Sequence, residues 1–371
     1  MPSPAFDPYP SQEKYSHAVT TDLTVHFSFQ TDPPDLQIWH RIEKELYLHK
    51  SSQSAWLYVA LANEDELTTE GLLVMEIKVS NIPPDSSAGR SLERRPGGTW
   101  VLRAQFSGVI DQAVTQVDVL FGTDAVDPRP QWVLMSSSPR LNGQLEVPVA
   151  RLSVLRGRAE PKPDTRAALR VRGDGIFKIA QFCDTHMVTG PGLHHDIPDS
   201  QTALFKAVAP IIERSIPVSV VFGNHDSERN HALSRMAQML ILQDLPFSLC
   251  KAGPEHVDGI GNIYLEVLAP APSQFRLSTL YFLDSHGEIN SEIKNPDSDC
   301  IKPSQIRWFR ETSQALRKAR EDGKTDNRFH LSLVFQQIPL PEFADNHLNI
   351  HNGHRREPTE DPSSNSHFST P

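Results

Sequence analysis

The sequence predicts an α/β fold preceded by a β-rich N-terminal domain, and three observations carry that expectation. Up to about residue 135, strand-like apolar runs follow one another, separated by turn-rich segments such as Pro83-Pro84-Asp85 and Pro96-Gly97-Gly98. From Leu169 onward strand patterns alternate with helix patterns, which is how an α/β domain is written. Two of those later runs stop abruptly in residues that carry chemistry, Asp184-Thr185-His186 and Gly223-Asn224-His225-Asp226.

A chain of 371 residues can hold two domains and a sizeable core without disulfide or metal staples. The net charge of −10 argues against a nucleic-acid partner, which would select a basic face. Cys183, Cys250 and Cys300 lack metal-ligand spacing and read as reduced thiols in or near a core. No apolar run reaches the roughly eighteen residues a membrane span requires. The opening residues, with Pro2, Pro4, Pro8 and Pro10, lack the apolar centre of a signal peptide. The expectation is a soluble, cytoplasmic chain.

Residues 1–20 are proline-rich and polar and are expected to be disordered. A β-rich domain is then expected over residues 21–155. Leu23, Val25, Phe27 and Phe29 alternate with polar residues, the pattern of a half-buried strand. Ile38, Ile42 and Leu46, with Trp39 alongside, have the spacing of a short amphipathic helix. Strands are expected over Ala55 to Leu61, Leu72 to Val79, Thr99 to Phe106, Thr115 to Phe121 and Gln131 to Met135. Nothing in this domain suggests catalysis: His26, His40 and His49 lie far apart and read as surface or capped histidines. Residues 156–168, with Gly157, Pro161 and Pro163, read as a linker.

The α/β domain is expected over residues 169–348, with a loose polar tail over 349–371. Gly173-Asp174-Gly175 forms a turn into a buried strand, Ile176 to Phe182, that delivers Asp184 and His186. A helix from Gln201 to about Arg214 is capped by Asp199 or Ser200, and Pro210 should kink or divide it. Pro217 to Phe222 returns to the sheet, and Ala232 to Leu242 is helical. Later strands are Asn262 to Leu268, Thr279 to Leu283 and His330 to Phe335. A helix capped by Ser304 runs to about Arg320, with Ile306, Trp308, Phe309, Ala315, Leu316 and Ala319 on its face.

Strand side chains alternate, so Asp184 and His186 share a side and can hold one metal ion together. The two strand-end motifs resemble those of the calcineurin-like metallophosphoesterases, the superfamily of purple acid phosphatases and phosphoprotein phosphatases. The resemblance extends to Thr202 through Pro210, Tyr281 through His286, Lys302 through Phe309 and Ile338 through Phe343, in a form similar to the fungal branch. It implies an α/β/β/α sandwich and a phosphorylated substrate. It also implies divalent ions, Mn, Fe or Zn, normally two at roughly 3.5–4 Å, that activate a water. By that resemblance Asp184 and His186 are first-site metal ligands and Asn224 offers an oxygen to the second metal. His225 protonates the leaving group, and Asp226 is the acid that steadies its proton.

The family pattern is incomplete here. A Gly-Asp strand end between the two motifs, whose aspartate bridges both metals, is missing; Gly173-Asp174 is the one Gly-Asp in the chain. Were its strand regular, Asp174 would stand about 33 Å from Asp184. The forty residues from Asp184 to Asn224 match one strand-helix-strand unit. Gln336-Gln337 occupies the place of a ligand histidine before Ile338-Pro339, and an amide oxygen is a poor donor beside imidazole. Gly353-His354 leads to no Gly-His-x-His pair.

Two dications about 3.5 Å apart repel by on the order of 20 kcal/mol even at an effective dielectric near 20, so one metal or none is expected. His194, His195, Asp196 and Asp199 read as a solvated loop, and Asp284 and His286 as site-wall residues. His347, His351 and His354 read as chance spacing. The expected function is a metal-dependent phosphomonoesterase whose activity is weak or lost. Two alternatives stand beside it: an inactive pseudophosphatase acting as a binding module, and a sequence that has lost an internal segment near Gly192-Leu193.

Overall fold

The computed structural model describes residues 18–28, 34–46, 54–85, 91–137, 139, 149–159, 168–181, 199–227, 233–287, 299–322 and 330–338. It is a mixed α/β structure that divides into two units. The first comprises residues 1–165, 187–218 and 244–248, and the second residues 166–186, 219–243 and 249–371.

Among the described residues the first unit has nine strands: β1 (Ala18–Phe27), β2 (Trp39–Glu45), β3 (Ala55–Asn63), β4 (Leu72–Val79), β5 (Glu93–Arg95), β6 (Thr99–Gln105), β7 (Val114–Phe121), β8 (Trp132–Leu134) and β9 (Ala150–Arg156). They form three antiparallel three-stranded sheets ordered β1-β3-β2, β4-β6-β5 and β7-β9-β8. Period-two alternation explains how the sheets meet. Leu23, Val25 and Phe27 of β1, Val74 of β4, Val101 of β6, Val117 and Val119 of β7 and Leu152 and Val154 of β9 all enter one core.

The helix expected from the spacing of Ile38, Ile42 and Leu46 is instead strand β2, paired antiparallel with β3. A spacing of four is a multiple of the strand period as well as about one helical turn, so Ile42 and Leu46 fit either pattern. Pairing with β3 decides between them: Ile42 packs against the core and Leu46 is buried, while Ile38 is 58% exposed. Three strands went unmarked in the sequence: β5, β9 and, in the second unit, β10 (Leu169–Arg170).

Lys44 on β2 sits in a buried charge network of the first unit. Its ammonium donates to Asp118 Oδ1 at 2.9 Å, the Val119 carbonyl at 2.6 Å and Gln201 Oε1 at 2.8 Å. Arg129 reaches the other Asp118 oxygen at 2.9 Å, and Gln201 Nε2 donates to it at 2.8 Å. Burial alone would push the Asp118 carboxyl up, but Lys44, Arg129 and the Val119 amide together hold it well below the usual carboxylate range. The network fastens helix α1 (Ser200–Ile212) to β7, and the Phe121 amide adds a 3.1 Å bond to Thr202 Oγ1. Asp199 caps α1 by accepting from the Thr202 amide. Pro210 does not divide the helix: it lies two residues from the C-terminal end, so one continuous helix contains it.

The second unit is built on a mixed sheet ordered β10-β11-β12-β13, with β11 (Ile263–Leu268), β12 (Arg276–Phe282) and β13 (Leu331–Phe335). β10 runs parallel to β11, β11 antiparallel to β12, and β12 parallel to β13. Helices α2 (Arg235–Gln243) and α3 (Pro303–Asp322) complete it. Phe309 of α3 meets Tyr281 edge-on at 4.8 Å, whereas Ile306 is 48% exposed and Ala315 and Ala319 lie outward. Ser304 is not the cap of α3: the helix begins at Pro303, whose fixed φ suits the first position, and the Ser304 hydroxyl is engaged with Asp258.

Two expected strands are absent as strands. Residues 173–181 turn and run without ladder pairing, with Ile176 46% and Ile179 45% exposed; within this run Phe177 packs against the sheet's core. The Gly173-Asp174-Gly175 turn closes through the bond from Gly175 N–H to the Arg172 carbonyl, and the chain leaves the sheet there. An apolar run becomes a strand only where a neighbouring edge accepts its hydrogen bonds. Pro217 to Phe222 makes one isolated bridge, Val218 to Ser248, although Phe222 is fully buried. No helix among the described residues is long and apolar enough to cross a membrane.

Candidate active site

At the end of the Pro217–Phe222 run the chain tightens into a single 3-10 turn, Asn224–Ser227. Asp226, 3% exposed, organises that turn: its Oδ2 accepts from the Gly223 amide at 2.7 Å, and its own amide reaches back to the Gly223 carbonyl at 3.4 Å. From behind, the buried Gln238 of α2 donates to the Asp226 carbonyl at 2.5 Å and to the Leu233 carbonyl at 2.8 Å. The turn is therefore tied to the first part of α2 by side-chain-to-backbone bonds.

Arg235, in the first turn of α2, links this turn to the end of β12. Its Nη2 donates to the Gly223 carbonyl at 2.7 Å and its Nη1 to Asp284 Oδ1 at 2.6 Å, while the guanidinium lies 5.6 Å from the Phe222 ring centroid. Asp284 is 1% exposed and, among the described residues, its carboxylate meets donors while its amide donates to Asn262 Oδ1 at 3.2 Å. Oδ1 also accepts from the His286 amide at 3.0 Å, and Oδ2 from the Ile260 amide at 2.8 Å. Gly259 allows this closeness. At φ +86° a side chain would be strained, and a Cβ would stand 3.0 Å from Asp284 Cβ and 3.1 Å from His286 Cε1.

His286 follows at a left-handed φ of 66°, with its Nε2 2.9 Å from Gln305 Oε1. Gln305 is fully buried and its amide orientation follows from its partners. Its Nε2 faces Asn262 Oδ1 at 2.8 Å and the Asp284 carbonyl at 2.7 Å, both acceptors, so Oε1 is the atom that meets the imidazole. An amide oxygen accepts only, so His286 carries its proton on Nε2 and donates. Both members of the Asp284-Ser285-His286 trio with metal-ligand chemistry are thus engaged in hydrogen bonds within the fold. Ser285 takes part as well, accepting from the Ile338 amide at 3.0 Å just beyond Gln336-Gln337.

Of the sequence-predicted site residues, Asn224 and Asp226 lie on this turn together with the His225 backbone. Asp184 and His186 fall outside the described residues, as do Cys183, His194, His195, Asp196, His347, His351 and His354. Among the described residues no three His, Cys, Asp or Glu side chains converge on a point where a metal ion could sit. Asp284 is already neutralised by Arg235, and Gln337 brings only a neutral amide. By themselves the described donors do not fit a two-metal centre. Sequence reasoning missed Arg235, Asn262 and Gln305. One signal for Arg235 was available: a cation in the first turn of a helix opposes the helix dipole, so it needs an anion from elsewhere in the fold.

The chain is similar to Phosphatase DCR2 of Saccharomyces cerevisiae, 28% identical over 288 residues that make up 65% of this chain and 48% of that protein. It is also similar to probable inactive purple acid phosphatase 14 of Arabidopsis thaliana, 32% identical over 222 residues, 57% of this chain and 50% of the relative. A second Arabidopsis protein, probable inactive purple acid phosphatase 28, is 33% identical over 201 residues, 39% of this chain and 50% of the relative. The chain spans about half the length of these relatives. No family model matches the chain, and no solved structure does.

Proposed function

We infer that this chain, which belongs to the calcineurin-like metallophosphoesterase superfamily, is a phosphomonoesterase-type module whose hydrolytic activity is weak or lost. The observation that carries this reading is the bridge made by Arg235, which ties the Gly223-Asn224-His225-Asp226 turn to the end of β12 at Asp284. A turn braced by a protein cation keeps its shape whether or not an ion is bound.

The roles follow the family pattern, residue by residue. Asn224 would offer its amide oxygen to a second metal and its NH2 group to the phosphoryl oxygens, His225 delivers a proton to the departing alkoxide, and Asp226 holds the turn that carries both. Asp184 and His186 are the remaining candidate metal ligands. Divalent ions, when bound, supply the activated water in this family. The thinned donor set around Asn224 is the reason to expect little turnover. The narrower readings belong to the same proposal: a β-rich domain at 21–155, a linker at 156–168, a phosphoesterase domain at 169–348 completing an α/β/β/α sandwich, a fungal-type lineage and a cytoplasmic location.

A pseudophosphatase that binds without turnover is the second reading, favoured by the donors around the Asp284 carboxylate and the neutral amide of Gln337. Release of phenolate from an aryl phosphate, with Mn²⁺ or Zn²⁺ added, separates the two. Slow turnover that disappears in His225→Ala supports the enzyme. No turnover in either protein supports the binding module, and turnover unaffected by His225→Ala refutes the assignment of roles.

A further inference from the structure

The β-rich unit contains an open cavity of about 530 Å³ that has no part in the site above. Ser80, Asn81, Thr123, Ser136, Ser137 and Arg151 supply its polar lining. Arg151 is on β9 between Ala150 and Leu152, which are buried in the core, so alternation turns its side chain to the opposite face. Its guanidinium is held by backbone oxygens. Nε donates to the Met135 carbonyl at 2.8 Å, and Nη1 to the Thr123 and Ala125 carbonyls at 3.3 Å each.

Those carbonyls fix the orientation of the guanidinium without neutralising it. Among the described residues no carboxylate forms an ion pair with Arg151, and Nη2 has no hydrogen-bond partner. Arg129 of the same unit shows the contrast, with Asp118 at 2.9 Å and Asp127 at 2.6 Å. The Ser80 hydroxyl accepts from the Ile82 amide at 3.2 Å, whereas the side chains of Asn81, Thr123, Ser136 and Ser137 make no hydrogen bond among the described residues. Most small-molecule pockets are predominantly apolar with a few polar anchors. This one reverses the proportion, with one fixed cation among hydroxyl and amide groups that both donate and accept. In a chain of net charge −10 the general field repels anions, so any anion held here is held by this local arrangement.

We propose that this cavity binds a small phosphorylated polyol, a sugar phosphate. The anionic group lies on the open Nη2 edge of Arg151, and the sugar hydroxyls lie against Asn81, Thr123, Ser136 and Ser137. The proposal is independent of the phosphoesterase reading, because it uses none of the same residues.

Calorimetric titration of the full chain in EDTA with glucose-6-phosphate, glucose and inorganic phosphate tests it. The sugar phosphate is expected to bind more tightly than either component alone. Arg151→Gln removes the cation, and Asn81→Asp adds a repelling charge at an exposed position that holds nothing else in place. Each is expected to weaken binding about tenfold or more. Because Arg151→Gln also disturbs three carbonyls, a folding defect in that variant leaves Asn81→Asp as the deciding measurement. Four results overturn the proposal: no binding of the sugar phosphate, equal binding of inorganic phosphate alone, binding unchanged in Asn81→Asp, or loss in Asn224→Ala with retention in Arg151→Gln. The last would put the ligand at the phosphoesterase turn.

Discussion

Replacing Arg235 with methionine keeps most of the side-chain volume and removes the positive charge that pairs with Asp284. The two side chains are 12% and 1% exposed, so solvent cannot take over the lost partner. Breaking a buried ion pair from one side costs about 3–5 kcal/mol, because a carboxylate is left buried without compensation. Two features adjust the figure in opposite directions. Asp284 retains its hydrogen bonds from the amides of His286 and Ile260. The Gly223 carbonyl loses its 2.7 Å donor, which adds about 1 kcal/mol. A loss of about 4 kcal/mol is therefore expected, large against the 5–15 kcal/mol by which a typical protein is stable. Urea unfolding measures the total, and hydrogen exchange at the Gly223 and Ile260 amides locates it. The double variant Arg235→Met with Asp284→Asn should recover much of the loss, since neutralising both partners removes the uncompensated charge. A loss below about 1 kcal/mol for the single variant, or a double variant that is simply the sum of two losses, would show that the pair does not brace the turn.

Three further outcomes follow from the same geometry. The Asp118 carboxyl is depressed in the folded chain relative to an ordinary carboxylate near 4, so its stabilisation is fully present above that value and fades as pH falls toward the folded pKa. Acid unfolding of the β-rich unit should steepen below about pH 4, and Asp118→Asn should flatten that dependence while lowering stability at neutral pH. Gly259→Ala puts a methyl group 3.0 Å from Asp284 Cβ at a left-handed φ, and calorimetric unfolding should register about 1–3 kcal/mol of destabilisation. Unchanged stability would mean that the Gly259 loop yields without strain. Lys44→Met leaves Asp118 with Arg129 and Gln201, and thermal unfolding should fall by less than in the Arg235 variant because one cation remains. An equal or larger fall would show that Arg129 does not compensate.

Some elements were legible residue by residue. β4 occupies Leu72–Val79, the bounds of its apolar run, and β11, β12 and β13 stand within a few residues of their expected bounds. These runs are short and bounded by turn signals, which suits a strand. The segment holding Ile38, Ile42 and Leu46 reads either way, since a four-residue spacing suits both periods, and pairing with β3 made Trp39–Glu45 a strand. Ile176 to Phe182 shows the converse: composition makes the run apolar, but no composition supplies a neighbouring edge for its hydrogen bonds.

The amino-acid sequence alone carried the resemblance to phosphatases, the residue types of the Gly223-Asn224-His225-Asp226 turn and the glutamines at 336 and 337, because each is a matter of which residue types are present and in what order. Only the tertiary structure decided how the turn is supported. Arg235 meets Gly223 twelve residues back in the chain and Asp284 forty-nine residues on, and Lys44 finds Asp118 across seventy-four. Charges that far apart in sequence have no local signature. Folding selects their partners because a buried charge without one costs more than the chain's margin of stability allows.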